Sequence, residues 1–515
     1  VSQALYTEIE PLGKWQTWTA HDPAPDQSLR RSPSFALRFS ALSIRKSIAW
    51  SFSEQTLQYG LQFVSAIVIA RLLTPDEMGI FALAMSASVV MTTLRNFGVG
   101  SYLIREPDLN LSKIRSAFGV MLTISWSLGL LLFLGRHALA ELYGRAGIAE
   151  VIVVLAVSFF ISPFGAPISS LLAREMRFKV LHNIGLSAAF AGTVLSISLA
   201  YSGFSYMSLA WGLLLTTVLN TLLPLFVMPQ YAFLLPSFAH WRGITKFGGL
   251  LSVCSLLGTV NSEGVKFLLG AFLNPAAVAQ FERAVQVPNI FRRAIFLPIG
   301  RVMLPVFSER VREGRPVGHI VEKLVAGSVV LTWPTFLVLA MVAEPLIVTV
   351  FGENWRPAGR ILPEILLAQA LLVLLPQPEQ ILVPRGLIGR LFLVRAIGAV
   401  VSLSSAFVAV QYGLEAFAAA RVLAAVSLVT LVALSCYPYL GVTFAALMRL
   451  YLQAIVVSVI AAIPASLYLL AEIPIGLEEI LIIILTSAVA WVLGVFVTRH
   501  MFVTELRNVR ARLGV

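Results

Sequence analysis

Apolar stretches close to twenty residues long recur from residue 49 almost to the C-terminus, and no other feature limits the fold of this chain so severely. At about 1.5 Å of rise per residue, some 20 apolar residues in a helix cross the roughly 30 Å hydrocarbon core of a bilayer. Inside lipid the backbone must satisfy its own hydrogen bonds, so a spanning element is either a helix or a strand of a closed barrel. These stretches lack the period-two alternation of barrel strands, which leaves helices. The pattern predicts about fourteen spans, at 49–70, 78–97, 115–135, 149–172, 183–203, 205–228, 246–272, 278–304, 324–344, 361–384, 390–411, 414–436, 448–470 and 477–498. Of the 515 residues, 58% are hydrophobic and 12% charged, about half the charge of a soluble domain. The expected fold class is therefore all-α, a polytopic membrane bundle.

The formal charge of +12 invites a nucleic-acid partner. Its distribution argues against one, because the bases sit in short loops between spans, where they set orientation. Lys14, Arg30, Arg45, Arg95, Arg105, Lys113, Arg174, Lys179, Arg310, Arg312, Arg395 and Arg507 all fall on one side. The other side receives only Arg71, Arg136, Arg145, Arg356 and Arg360, and its last loop is acidic, with Glu472, Glu478 and Glu479. Both termini are thus expected in the cytoplasm, with an even number of spans. Cys254 and Cys436 lie inside apolar segments, as packing residues without disulfide or metal spacing. Residues 1–40 are polar and carry Pro23, Pro25 and Pro33; they read as a disordered tail or an over-extended start.

An internal repeat organises the rest. Leu73, Pro75 and Phe81, between the first and second spans, recur two hundred positions on as Leu273, Pro275 and Phe281. Leu142-Tyr143-Gly144 likewise resembles Val350-Phe351-Gly352. One repeat covers six spans, an even number, so the halves are expected to be parallel repeats about an axis along the membrane normal. The expected layout is a cytoplasmic tail (1–45), two six-helix lobes (46–235 and 236–440), two added spans (441–498) and a basic tail (499–515). Pro163 and Pro167 break the fourth span; Pro376, Pro378 and Pro384 break the tenth, its counterpart. Matching interruptions point to a binding site or hinge, although proline is also tolerated in membrane helices.

No Walker loop, metal-binding histidine pair or nucleophile elbow stands out, so neither an enzyme nor a cofactor is expected. The signal lies in polar residues at bilayer depth, each costing about 2.5–3.5 kcal/mol on insertion scales. Glu54, Gln58 and Gln62 step by four and share a helix face, either bonding to neighbouring helices or lining a cavity. Glu263 and Lys266 share a face at spacing three, and Glu282-Arg283 open the next span. Lys266 and Arg283 are candidates for holding an anionic head group, arginine because its fork matches phosphate oxygens. The plain alternative is that the four neutralise one another. Arg421 is a third buried cation, unless it snorkels. Trp211, Trp333, Trp355 and Trp491 fit interfacial belts or helix packing.

Ala70-Arg71-Leu72-Leu73-Thr74-Pro75-Asp76-Glu77-Met78-Gly79, followed by an apolar span, resembles the first loop of bacterial polysaccharide transporters. These are the lipid-linked oligosaccharide flippases of the multidrug/oligosaccharidyl-lipid/polysaccharide exporter superfamily. Lys266 to Ala284 resembles the start of that family's second repeat, and Leu346 to Trp355 a further segment. Val265 stands where relatives often carry an acid, and Ala279 where they favour glycine. The resemblance implies a V-shaped bundle of two lobes that alternates access. It would move an undecaprenyl-pyrophosphate-linked oligosaccharide between leaflets for exopolysaccharide, capsule or O-antigen synthesis. Implied partners are that lipid-linked unit, membrane lipid, and a polysaccharide polymerase with chain-length or export proteins. Spans 13 and 14 are similar in placement to the extra pair of peptidoglycan-precursor flippases. The competing expectation is a cation-coupled multidrug exporter of the same superfamily, with Glu54 or Glu263 as its ion site; a scaffold that moves nothing has no need of buried charges.

Overall fold

A computed structural model describes residues 60–96, 98–231, 234–292, 307–498 and 501, with the backbone alone over 245–254. They form an all-α polytopic membrane bundle, with no β-strand among the described residues. In chain order the helices are α1 (Gly60–Leu72), α2 (Pro75–Arg95), α3 (Val99–Arg105), α4 (Leu111–Leu142), α5 (Ala146–Ile161), α6 (Ala166–Arg174), α7 (Phe178–Tyr201), α8 (Met207–Val227), α9 (Trp241–Phe272) and α10 (Pro275–Phe291). A short α11 covers 307–312. Then follow α12 (Gly318–Met341), α13 (Ala343–Phe351), α14 (Arg356–Leu372), α15 (Pro378–Leu382), α16 (Ile388–Ala409), α17 (Leu414–Cys436), α18 (Phe444–Leu470) and α19 (Leu477–Val497).

Ten helical stretches among the described residues are long and apolar enough to cross a membrane, against about fourteen predicted spans. The other four predicted spans fall on α1, α9, α10 and α14: α1 begins and α10 ends beside residues outside the described ones, the side chains of 245–254 in α9 lie outside them too, and α14 stops at Leu372. Asn261, Glu263 and Lys266 are polar residues within the continuous α9, Glu282 and Arg283 sit midway along α10, and Glu364 lies in α14. Glu54, Gln58, the predicted tail 1–45 and all of 499–515 except Met501 lie outside the described residues, as does the side chain of Cys254.

The repeated loop has a physical reason. Thr74 caps α2: its hydroxyl accepts from the Glu77 N–H while Glu77 accepts from the Thr74 N–H at 2.7 Å, and Pro75 occupies the first helical position. Two hundred residues on, Asn274 accepts from the Ala277 N–H at 2.8 Å and Pro275 takes the same position in α10. The second repeated motif ends in both copies on a glycine with positive φ, Gly144 at 63° and Gly352 at 105°, a conformation that costs glycine nothing.

Both proline-bearing spans are interrupted. After α5 the chain makes a 3-10 turn at Ser162–Phe164 before α6 resumes. The tenth predicted span stops at Leu372, restarts as α15 and ends in a 3-10 turn at Val383–Arg385. Its start also moves outward, to Arg356.

Neighbours pack as hairpins: α4 on α5, α7 on α8, α16 on α17 and α18 on α19, with α14 against α17 and α12 against α18. One core joins the two sequence halves through Leu83, Ile152, Leu269, Phe281, Ile347 and Trp355. Smaller cores gather around Leu103, Ile168 and Leu172 of the first half, joined by Ile244 of α9, and around Val321, Leu382 and Leu391 of the second. In lipid such contacts are held by close packing rather than by exclusion of water. The junction between halves depends on Gly79, where a Cβ would lie 1.8 Å from the Pro275 carbonyl oxygen. The two copies of the repeated loop therefore meet each other.

Candidate functional site

A cavity of about 540 Å³ lies between elements of the two halves. Its walls come from α1 (Gln62, Ala66), α2 (Met78, Phe81), α7 (Thr193), α8 (Leu209), α9 (Lys266) and α10 (Glu282, Arg283, Gln286, Asn289). Of the predicted glutamate–glutamine face, Gln62 is the member among the described residues, and it lines this space.

Lys266 is held by two carboxylates. Its Nζ lies 2.6 Å from Glu282 and 2.9 Å from Glu263. The Glu263 contact is an ion pair without hydrogen-bond alignment. Glu263 is buried, whereas Glu282 faces the cavity half-exposed. Arg283, next along α10, is 4% exposed. Its guanidinium carbon lies 4.5 Å from the Phe351 ring centre and 4.6 Å from that of Trp355, a cation–π slot. Its Nη1 donates to Gln286 at 2.7 Å and reaches the Ala66 carbonyl at 3.5 Å, while Nη2 faces the Met78 sulfur at 3.5 Å. The buried Nε has no partner among the described residues. The structure thus gathers Glu263, Lys266, Glu282 and Arg283, whose formal charges cancel. Arg421 stands apart: it donates to the Ser402 hydroxyl at 2.6 Å, linking α17 to α16, and does not line this cavity.

Beside the cavity the halves are stitched together. Arg71, counted in the sequence as a topology charge, donates to the Thr349 carbonyl at 2.6 Å and the Val350 carbonyl at 3.1 Å. These carbonyls close α13, the end at which a cation is favoured. Fully buried Trp355 donates through Nε1 to the Ala70 carbonyl at 2.9 Å, so it is a packing residue and not a belt residue. Within the second half, Gln280 donates to the Asn354 carbonyl at 2.7 Å and accepts from the Ala358 N–H at 3.0 Å.

Each interrupted span lines a cavity of its own. In the second half, about 190 Å³ is bounded by Pro376, Pro378 and Asn261, with Arg395 ion-paired to Glu379. In the first half, about 510 Å³ is bounded by Arg95, Ser162, Pro163 and Ser169. Arg95 and Arg395 read in the sequence as orientation charges, and Glu379 was missed, although each lies inside a predicted span; the signal was a charge at bilayer depth, beside a proline break for Glu379.

Known proteins resemble the chain in both sequence and architecture. The succinoglycan biosynthesis transport protein ExoT of Rhizobium meliloti (strain 1021) is 23% identical over 336 residues, 64% of this chain and 67% of that protein. Among solved structures, the lipid II flippase MurJ in an inward closed conformation matches with a TM-score of 0.71 and 13% identity, over 88% of this chain and 99% of that one. An inward-facing multidrug resistance MATE family transporter of the MOP superfamily matches with a TM-score of 0.59 and 16% identity, over 76% and 96%. At such identities these two likenesses speak for the fold alone. The sequence family described as "Polysaccharide biosynthesis protein" matches residues 68–360, more than half of the chain and all of the stitched region, and the protein belongs to that family.

Proposed function

We propose that this protein carries a polyprenyl-diphosphate-linked oligosaccharide from the cytoplasmic to the outer leaflet of the bacterial inner membrane, for assembly of a surface polysaccharide. The observation that carries this reading is the family match over residues 68–360, which spans the polar cavity between the halves. A sugar head group with a diphosphate cannot cross hydrocarbon unaided, while its polyprenyl tail can remain in lipid. Hydrogen-bonding side chains at bilayer depth, among them Gln62, Gln286 and Asn289, suit the hydroxyls of a sugar. Lys266 and Arg283 supply cations for the diphosphate. In this reading residues 46–235 and 236–440 are the two lobes that alternate access, 441–498 add a pair to a total of fourteen spans, and both termini are cytoplasmic. A polymerase and export proteins take up the delivered unit. The cation-coupled exporter shares this architecture, as the MATE likeness makes plain; the family match favours the polysaccharide reading.

Leaflet assignment of the lipid-linked oligosaccharide in a deletion strain tests the reading. Deletion is expected to trap the unit on the cytoplasmic face, and wild type to release it. Arg283→Ala and Lys266→Ala are expected to leave it trapped. Restoration by both variants would remove these two residues from the site while keeping the function. Normal delivery in the deletion strain, with no related transporter present, would sink the flippase reading itself.

A further inference from the structure

The three cavities differ in one respect that bears on ligand charge. Lys266 shares the central cavity with Glu282, and Arg395 shares the second-half cavity with Glu379. The first-half cavity contains Arg95 and no aspartate or glutamate among the described residues. Arg95 is half-buried at the end of α2, and its Nη1 donates to the Ser162 hydroxyl at 2.5 Å. Its guanidinium packs over Phe159 at 5.2 Å, and it has no carboxylate partner among the described residues. Around it stand the hydroxyls of Ser101, Ser162 and Ser169, a set that can donate to oxyanions while the guanidinium supplies charge; the Ser170 hydroxyl donates to the Ala166 carbonyl of its own helix. The break at Pro163 lets α6 begin at this wall, with the positive end of its dipole there. A charge in a low-dielectric setting with no counter-ion is costly, and an anionic ligand would offset that cost. At about 510 Å³ the space falls within the roughly 300–1,000 Å³ of small-molecule sites.

We infer that the Arg95 cavity is a binding site for a phosphate-ester anion, separate from the cavity between the halves. The same chemistry is carried by the diphosphate of a polyprenyl-linked sugar and by the head group of an anionic phospholipid. The diphosphate assignment rests on the function proposed above, under which the basic loops near α3 and α6 place this cavity toward the cytoplasm, where the lipid-linked unit is made. The phospholipid assignment does not.

The test is native mass spectrometry of the purified full chain with farnesyl diphosphate and with phosphatidylglycerol, each alone and in competition. Arg95→Gln is expected to weaken the tightest binding by about tenfold or more, the scale of a lost charge-assisted hydrogen bond. Ser162→Asp installs the missing carboxylate beside an intact Arg95 and is expected to weaken binding equally; it decides the matter if Arg95→Gln does not yield folded protein. Selective loss of farnesyl diphosphate binding identifies the lipid-linked diphosphate as ligand, and selective loss of phosphatidylglycerol identifies the phospholipid. Wild-type affinity for both probes in a folded variant overturns the site. That failure leaves the flippase reading standing, because leaflet assignment with the wild-type protein decides it independently.

Discussion

Lys266 works against two neighbours at once, and the consequence of removing it follows from that. Lys266→Met leaves Glu263 and Glu282 facing each other without a cation, one of them buried. The expected cost is about 1–3 kcal/mol, discounted toward the lower end because Glu282 is more than a third exposed. Lys266→Met combined with Glu263→Gln should recover most of the loss, since one buried charge is then gone. Thermal unfolding of the detergent-purified variants checks this, and a double variant no better than the single one would deny the coupling. Arg283 is constrained differently: two aromatic faces and a glutamine hold its guanidinium. Any role of Arg283 toward a substrate must run through a side chain that scarcely moves.

At the scale of elements, the junction of α2 and α10 rests on a position without a side chain. Gly79→Ala would place a carbon 1.8 Å from the Pro275 carbonyl, a contact that only separation of the two helices relieves. The expected outcome is a clear drop in thermal stability, of about 1–3 kcal/mol as for an overpacked core. A cross-link between cysteines placed on α2 and α10 should also form more slowly than in the parent, and unchanged values for both would refute the close approach. Much of this layer was legible in the sequence. Thr74-Pro75 and Asn274-Pro275 are local cap signals, and apolar length marks ten spans without help. What was not legible is tertiary. The cancelling of Lys266 by Glu282 requires α9 and α10 to face each other, and Arg71 reaches Thr349 across 278 residues. Arg95 and Arg395 carry two meanings in the sequence, because an arginine near a span end also sets orientation.

For the whole molecule the testable quantity is sidedness. Under the proposed orientation, the turn at Met176 faces the cytoplasm and the turn at Glu472 the opposite side. Both residues are exposed and stand at tight turns of positive φ. A cysteine at 472 should react with a membrane-impermeant maleimide in intact spheroplasts, and a cysteine at 176 only after permeabilisation. Native Cys436 is fully buried, so it adds little background; Cys254 should be replaced first. Equal labelling at both positions would contradict the assignment of both termini to the cytoplasm.

The stitching between the halves has a consequence for how the sequence can drift. Arg71 and Trp355 both bond across the junction to main-chain carbonyls, those of Thr349, Val350 and Ala70. Every residue offers the same carbonyl, so the acceptor positions are free to change identity without loosening the junction. The donors have no such freedom, and no partner substitution can compensate for losing one. The junction should therefore leave almost no trace as correlated pairs among relatives, only two solitary side chains that refuse to vary.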